Sequence, residues 1–209
     1  MFGSYFDAMK KAPVWGGSEF GVGPFFFGLT IATQAHTILE IGCYKGFSTL
    51  AFAGALKFLD DGGWVIPECQ FQRPEIDYDL LLRSGDRKLV SLDLNPQQEA
   101  RDLIESQGLS DYVQFEVGDS HTWEKPNLYV DILLIDGDHT YEGAKHDFQK
   151  YVTHYLKPGG YVILHDYFGW YDLNSKNQSP IARIANEQGG YLLIDTGFMS
   201  FVLFRKAYP

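Results

Sequence analysis

Carboxylates, glycines and histidines close the apolar runs of this chain: ILEIGCYKGFS from Ile38, LLIDGDH from Leu133 and YVILHDY from Tyr161. In Glu40-Ile41-Gly42-Cys43-Tyr44-Lys45-Gly46 the glycines permit a tight turn and a close approach of backbone to a ligand. Tyr44 stands where the dinucleotide fingerprint G-x-G-x-x-G carries its second glycine. Glu40 would repel a pyrophosphate but suits a cation or a hydroxyl, so the loop points to a ligand with no phosphate. Asp93, near the end of LVSLDL, fits the pattern of a carboxylate that accepts ribose hydroxyls, with Glu68 after WVIP as its rival. Asp93 is preferred because a helix and the strand VQFEV follow it in the expected order. Gly118-Asp119-Ser120 then forms a turn whose side chains could read an adenine edge.

Asp136 and Asp166 end two further runs, and adjacent parallel strands bring such ends side by side at one edge. Two carboxylates and a third polar ligand make a hard site suited to Mg²⁺. His165, if it is the third ligand, shifts preference toward Mn²⁺, Fe²⁺ or Zn²⁺; otherwise it serves as a base. His139, three residues after Asp136, is the other candidate base at the same mouth. Asp138 reads as a helix N-terminal acid. His36, His121, His146 and His154 lie outside the strand ends and read as structural or solvated.

The elements that must position these groups alternate. A helix over residues 21–35 precedes a strand at 37–41, and Ser48 or Thr49 serves the first turn of a helix at 47–59. Residues 60–88 hold GG, two prolines and mixed charge, and read as an insertion, an extended hairpin rather than a helix. Strands at 89–94, 112–117, 130–135 and 161–164 alternate with helices at 96–107, 141–155 and 181–188, with Pro96 in a first turn. YLLIDTGFMSFVLFRK folds as two strands around Thr196-Gly197, which must be antiparallel. The expected fold is α/β, Rossmann-like and doubly wound, with a mostly parallel seven-stranded sheet ending in an antiparallel hairpin. Ligands of such sheets bind at the C-terminal strand edge, where strand order reverses.

The chain has 209 residues, enough for one domain over 1–209, and is 45% hydrophobic. No run reaches the ~18 apolar residues of a membrane span. The first residues lack a basic segment followed by an apolar core, so no signal peptide is expected. Cys43 and Cys69 give neither a disulfide framework nor zinc spacing, Cys43 reads as a small filler, and a cytoplasmic compartment is the default. A net charge of −10 and the absence of any basic run disfavour nucleic acid as partner. A small-molecule substrate is expected, and the aromatic-rich N-terminus suits a homo-oligomer contact.

The combination of motifs resembles the class I S-adenosylmethionine-dependent methyltransferases, over residues 21–206. Within that group, IDGDHTYEGAKHDF followed by LKPGGYVILHDY looks like the small-molecule O-methyltransferases, which include catechol-type and macrolide-sugar enzymes. The resemblance implies a donor seat of Glu40, Gly42, Tyr44, Gly46 and Ser48 under the methionine part, Asp93 on the ribose, and Asp119 and Ser120 by the adenine. It also implies a divalent metal on Asp136 and Asp166, with His165 beside it, and a hydroxyl of a small molecule as methyl acceptor. His139 matches a histidine that is a candidate base in the macrolide-sugar type. The chain departs from both types: Asp166-Tyr167 stands for Asp-Asn of the catechol type, and His165-Asp166 for Glu-Asp of the macrolide-sugar type. A nicotinamide oxidoreductase is disfavoured by Tyr44 and Glu40, and base N-methylation by the lack of an N/D-P-P-Y/F stretch. A non-catalytic S-adenosylmethionine binder is the remaining alternative. Trp123, Trp170 and the tyrosines of YFGWYDLN are candidate walls for adenine or acceptor.

Overall fold

Strand β1 (Thr37–Ile41) is buried along four of its five residues, and its parallel neighbours β2 (Lys88–Asp93) and β4 (Val130–Ile135) are comparably apolar. Side chains alternate between two faces, so Ile38, Leu89, Ile132 and Ile163 serve one core and Leu39, Val90, Leu133 and Val162 the other. In the computed structural model, which describes residues 22–62, 86–95, 97–168, 179–195 and 200–207, the remaining strands are β3 (Val113–Val117), β5 (Leu156–His165), β6 (Leu192–Asp195) and β7 (Ser200–Arg205). They form one seven-stranded sheet of order β3-β2-β1-β4-β5-β7-β6, with β7 antiparallel to both its neighbours.

Helices α1 (Val22–Thr33), α2 (Phe47–Asp60) and α3 (Gln98–Ser106) contribute to the first core, where Phe26 stacks on Phe52 at 5.0 Å. Helices α4 (Tyr141–His154) and α5 (Pro180–Gln188) contribute to the second, through Phe148, Tyr151, Ile184 and Ala185. The doubly wound, mostly parallel sheet is thus as the sequence implies. Strand order reverses between β1 and β4, and the crevice at their C-terminal ends is where such a sheet binds ligands.

Two expectations change. β5 begins at Leu156 rather than 161, because Val130 pairs with Leu156 across a register shift before Ile132 meets Tyr161. Lys157-Pro158-Gly159-Gly160 therefore belongs to a bulged strand. Helix α3 begins at Gln98, and Pro96 lies outside the described residues. Residues 63–85 of the expected insertion, including Glu68 and Cys69, and the Thr196-Gly197 turn, also lie outside them. No helix among the described residues is long and apolar enough to cross a membrane.

Candidate functional site

The turn after β1 approaches β4 so closely that a Cβ on Gly42 would sit 2.2 Å from the Asp136 carbonyl oxygen. Gly42 also has φ +84°, which an L side chain rarely adopts. Its amide donates to the Leu92 carbonyl at 2.8 Å, and the Asp136 amide donates to the Ile41 carbonyl at 2.8 Å. The loop is thereby clamped between β2 and β4. Tyr44 has φ 42° without being glycine and is half exposed, while Gly46, at φ 85°, opens α2. Left-handed geometry at a bulky residue costs of the order of 1–2 kcal/mol and tends to persist where function requires it.

Asp93, at the end of β2, faces this loop. Its Oδ2 accepts the amides of Cys43 at 3.1 Å and Tyr44 at 3.3 Å, and its Oδ1 accepts the Asn95 amide and Gln97 Nε2. Glu40 has no exposed surface. Its carboxylate accepts the hydroxyls of Ser48 at 2.5 Å, Thr49 at 2.7 Å and Ser91 at 2.7 Å. Burial, opposed by those three hydroxyls, pushes its carboxyl up to about 7. Ser48 is thus committed to Glu40, and Cys43 is a buried thiol that burial pushes up and out of reactivity.

In the turn after β3, Asp119 is exposed and accepts the His121 amide at 2.9 Å. Ser120 turns inward and donates to Asp147 Oδ2 at 2.9 Å. Its carbonyl accepts Tyr151 Oη at 2.7 Å and Lys150 Nζ at 2.9 Å, docking the turn on α4. Trp123 packs on Tyr155 at 6.0 Å, and Tyr167 contacts Tyr191 across their hydroxyls at 3.3 Å. Trp170 and residues 171–174 of the aromatic stretch lie outside the described residues.

The ends of β4 and β5 converge as parallel neighbours. His165 Nδ1 lies 3.1 Å from Asp136 Oδ1 and 3.2 Å from Asp166 Oδ1, and His139 Nδ1 lies 3.5 Å from Asp166 Oδ2. His139 Nε2 lies 4.0 Å from Asp136 Oδ1. Asp166 takes φ 61°, a non-glycine left-handed residue at the strand end. That geometry was invisible in the sequence. His165 is almost wholly buried, and its Nδ1 has no hydrogen-bond partner. Burial by itself would lower its pKa, but Asp136 and Asp166 raise it to about 10. Burial would raise Asp166, yet the two imidazoles hold its carboxyl below the usual range.

One ligand atom each from Asp136, His165 and Asp166 lies within 4.8 Å of the others. Cis ligands on an ion with bonds of ~2.1 Å stand ~3.0 Å apart, close to the two short contacts of His165. The buried Nδ1, in ion-pair contact with both carboxylates but without a well-directed hydrogen bond to either, and the two carboxylates around it fit a divalent ion. Asp138 serves α4 instead: its Oδ1 accepts the Thr140 amide at 2.8 Å, and Thr140 caps the helix through the Gly143 amide.

His121 and His146, expected to be structural or solvated, come together with their rings 4.3 Å apart beside the buried Asp147. No local signal marks this meeting, which depends on how the turn after β3 reaches across to α4. The cavity lined by Asp60, Arg87, Asp111 and Tyr112 lies at the opposite edge of the sheet, away from every strand-end candidate.

A profile of the methyltransferase domain matches residues 39–167. Among solved structures, the chain is similar to the O-methyltransferase TomG of tomaymycin synthesis from Streptomyces achromogenes in complex with S-adenosylmethionine. That match has 15% identity, TM-score 0.63, and covers 96% of this chain and 90% of that one. An O-methyltransferase from Bacillus cereus in complex with S-adenosylhomocysteine gives 16% identity, TM-score 0.60 and coverage of 97% and 91%. The S-adenosylhomocysteine-bound methyltransferase PaMTH1 from Podospora anserina gives 14% identity, TM-score 0.61 and coverage of 97% and 86%. At these identities the likeness speaks for the fold. A search of curated protein sequences returns no match. The match of the domain profile over more than half of the chain shows that this protein belongs to the methyltransferase-domain family.

Proposed function

We propose that the protein is an S-adenosylmethionine-dependent O-methyltransferase acting on a hydroxyl of a small molecule, with a divalent ion held by Asp136, His165 and Asp166. The observation that carries this reading is the junction of two parts. The backbone contact between Gly42 and Asp136 joins the glycine loop directly to the strand end that bears the carboxylate and imidazole group. Donor-bound neighbours of the same fold support the choice of donor.

In this reading the loop of Gly42, Tyr44 and Gly46 seats the methionine part, Asp93 meets the ribose, and Asp119 and Ser120 flank the adenine. Asp93 then keeps the Cys43 and Tyr44 amides on Oδ2, while Oδ1 exchanges Gln97 Nε2 for a ribose hydroxyl. Glu40 and Ser48 act through the loop as positioning residues, because the Glu40 carboxylate has no surface to offer. A divalent ion at the strand ends supplies a Lewis acid for the acceptor oxygen. His165, held as a cation by its two carboxylates, gives up its proton when it serves as a ligand. It is therefore a poor base at neutral pH. The exposure of His139 beside Asp136 and Asp166 supports it as the residue that takes the acceptor's proton. Rate enhancement comes largely from alignment of oxygen, methyl carbon and sulfur.

The test is calorimetric titration with S-adenosylhomocysteine, with Mg²⁺ and then with EDTA. Micromolar binding is expected, and methyl transfer to hydroxylated small molecules is expected to stop in EDTA and return with Mg²⁺ or Mn²⁺. Absence of binding under both conditions rejects the donor. Transfer unchanged in EDTA rejects the ion and leaves His139 as the sole assistance.

A further inference from the structure

A second group of ligand atoms converges outside the strand-end site. Asp147, on α4, has no exposed surface. Its Oδ2 accepts the Ser120 hydroxyl, whereas its Oδ1 is buried without a hydrogen-bond partner. Two imidazoles face that bare oxygen, His146 Nδ1 at 3.7 Å and His121 Nε2 at 3.9 Å. Both distances are too long for hydrogen bonds. One ligand atom from each of the three residues lies within 4.8 Å of the others, and both histidines are open to solvent.

A buried carboxylate oxygen with nothing to accept carries a desolvation cost that no contact offsets. Protonating both imidazoles to serve it would set two cations 4.3 Å apart, ring to ring. A single divalent ion resolves both problems, since it binds the bare oxygen and takes two neutral imidazoles as ligands. The donor set is two nitrogens and one carboxylate oxygen, with room on the solvent side for water. Ions of the borderline class prefer this set, and Mg²⁺, which keeps oxygen ligands, does not. Tetrahedral ligands on Zn²⁺ stand roughly 3.3 Å apart for bonds of ~2.0–2.1 Å. A shift of about half an ångström at each imidazole nitrogen brings the two gaps to Asp147 Oδ1, now 3.7 and 3.9 Å, to that value.

The surroundings are already built. The Ser120 hydroxyl fixes the second carboxylate oxygen, as outer partners of metal ligands commonly do. Lys150 Nζ donates to the carbonyls of Ser120, His121 and Trp123, at 2.9, 3.1 and 2.6 Å. His121 is thereby held over α4 by its own backbone before any ion arrives. Asp147 Oδ2 lies 3.9 Å from an ideal Cβ at Gly137, the residue after Asp136, so the second group adjoins the same crevice.

We propose that His121, His146 and Asp147 form a second divalent-ion site, of the Zn²⁺ class, that ties the turn after β3 to α4. The full chain is titrated calorimetrically with ZnCl₂ alone, as wild type, as His121→Gln/His146→Gln and as Asp136→Asn/Asp166→Asn. The Asp136→Asn/Asp166→Asn protein is expected to keep one Zn²⁺ with micromolar or tighter affinity, undisturbed by millimolar Mg²⁺. His121→Gln/His146→Gln is expected to bind one Zn²⁺ fewer than wild type. Both imidazoles are exposed, so that variant keeps the fold. Co²⁺ gives an independent readout: the intense visible absorption of a four-coordinate site is expected in wild type and lost without the histidines. Zinc stoichiometry and Co²⁺ spectrum unchanged by His121→Gln/His146→Gln would overturn the proposal, as would a folded Asp136→Asn/Asp166→Asn protein that takes up no Zn²⁺.

Discussion

Replacing Glu40 by Gln should remove most of one component of the pH dependence of stability. The carboxyl is fully buried and its pKa is raised from 4.5 to about 7. The folded chain therefore holds this proton more tightly than the unfolded chain. The stability linked to it is fully present below pH 4.5 and is lost as pH rises through about 7. The rise from 4.5 to about 7 makes the loss about 3 kcal/mol. In a chain of this size that corresponds to roughly 6–12 °C in Tm. Glutamine copies the shape of the protonated acid, accepts hydroxyls through its oxygen and donates to a rotated hydroxyl through its nitrogen. It cannot ionise. Urea unfolding of wild type and Glu40→Gln, followed by fluorescence across that pH window, isolates the effect, because titrating groups that do not interact with Glu40 cancel in the difference. The variant should gain about 3 kcal/mol relative to wild type between the acid and alkaline ends. A difference constant with pH would refute the reasoning. It would show that the hydroxyls of Ser48, Thr49 and Ser91 hold the group ionised throughout, against the cost of burial.

Other substitutions probe the rest of the site. Gly42→Ala puts a methyl 2.2 Å from the Asp136 carbonyl at φ +84°, and should cost at least about 2 kcal/mol in urea unfolding and abolish S-adenosylhomocysteine binding. Asp166→Asn keeps a residue that tolerates the left-handed turn, so Tm should move by only a few degrees. Donor binding should persist while Mn²⁺ affinity, read by calorimetry, falls at least tenfold. His139→Gln should leave S-adenosylhomocysteine binding unchanged and slow methyl transfer by about 10²–10⁴-fold, the usual range for loss of a general base. A smaller effect on transfer would move the base elsewhere.

The strand ends were legible in the sequence because parallel strands buried on both faces run apolar and then stop at polar groups. Asp93, Asp136 and Asp166 were found that way, and β1 and β4 have the expected bounds. What the sequence hid were features set by tertiary contact. The bulge that extends β5 back to Leu156 depends on pairing with Val130, whereas Lys-Pro-Gly-Gly carries no strand signal of its own. The burial of Glu40 depends on register, since Ser91 stands opposite it on β2 and the same face meets Ser48 and Thr49 of α2. The left-handed turn at Asp166 has no glycine or asparagine to announce it. His121 and His146 come from segments separated by a strand, and only the docking of the turn by Lys150 and Tyr151 joins them.

These hidden features share a physical sense. Glu40, Asp136, Asp147 and Asp166 all stand near the C-terminal ends of the strands around the switch point, and Asp136 further raises the pKa of Glu40. Acids crowded in a partly buried crevice repel one another, and the strain at Tyr44 and Asp166 adds to that cost. Two polar atoms of the crevice, His165 Nδ1 and Asp147 Oδ1, are left without a hydrogen-bond partner. A fold selected for stability alone gains nothing from that arrangement. A crevice that receives positive charge does, because a focused negative potential raises the local concentration of cations. The proposed donor carries a sulfonium, the strand-end group fits a divalent ion, and the histidine group fits a second. On this view the net charge of −10 is more than a solubility feature. Each cation that binds the folded crevice and not the unfolded chain adds to stability, so ligand binding and stability are expected to rise together.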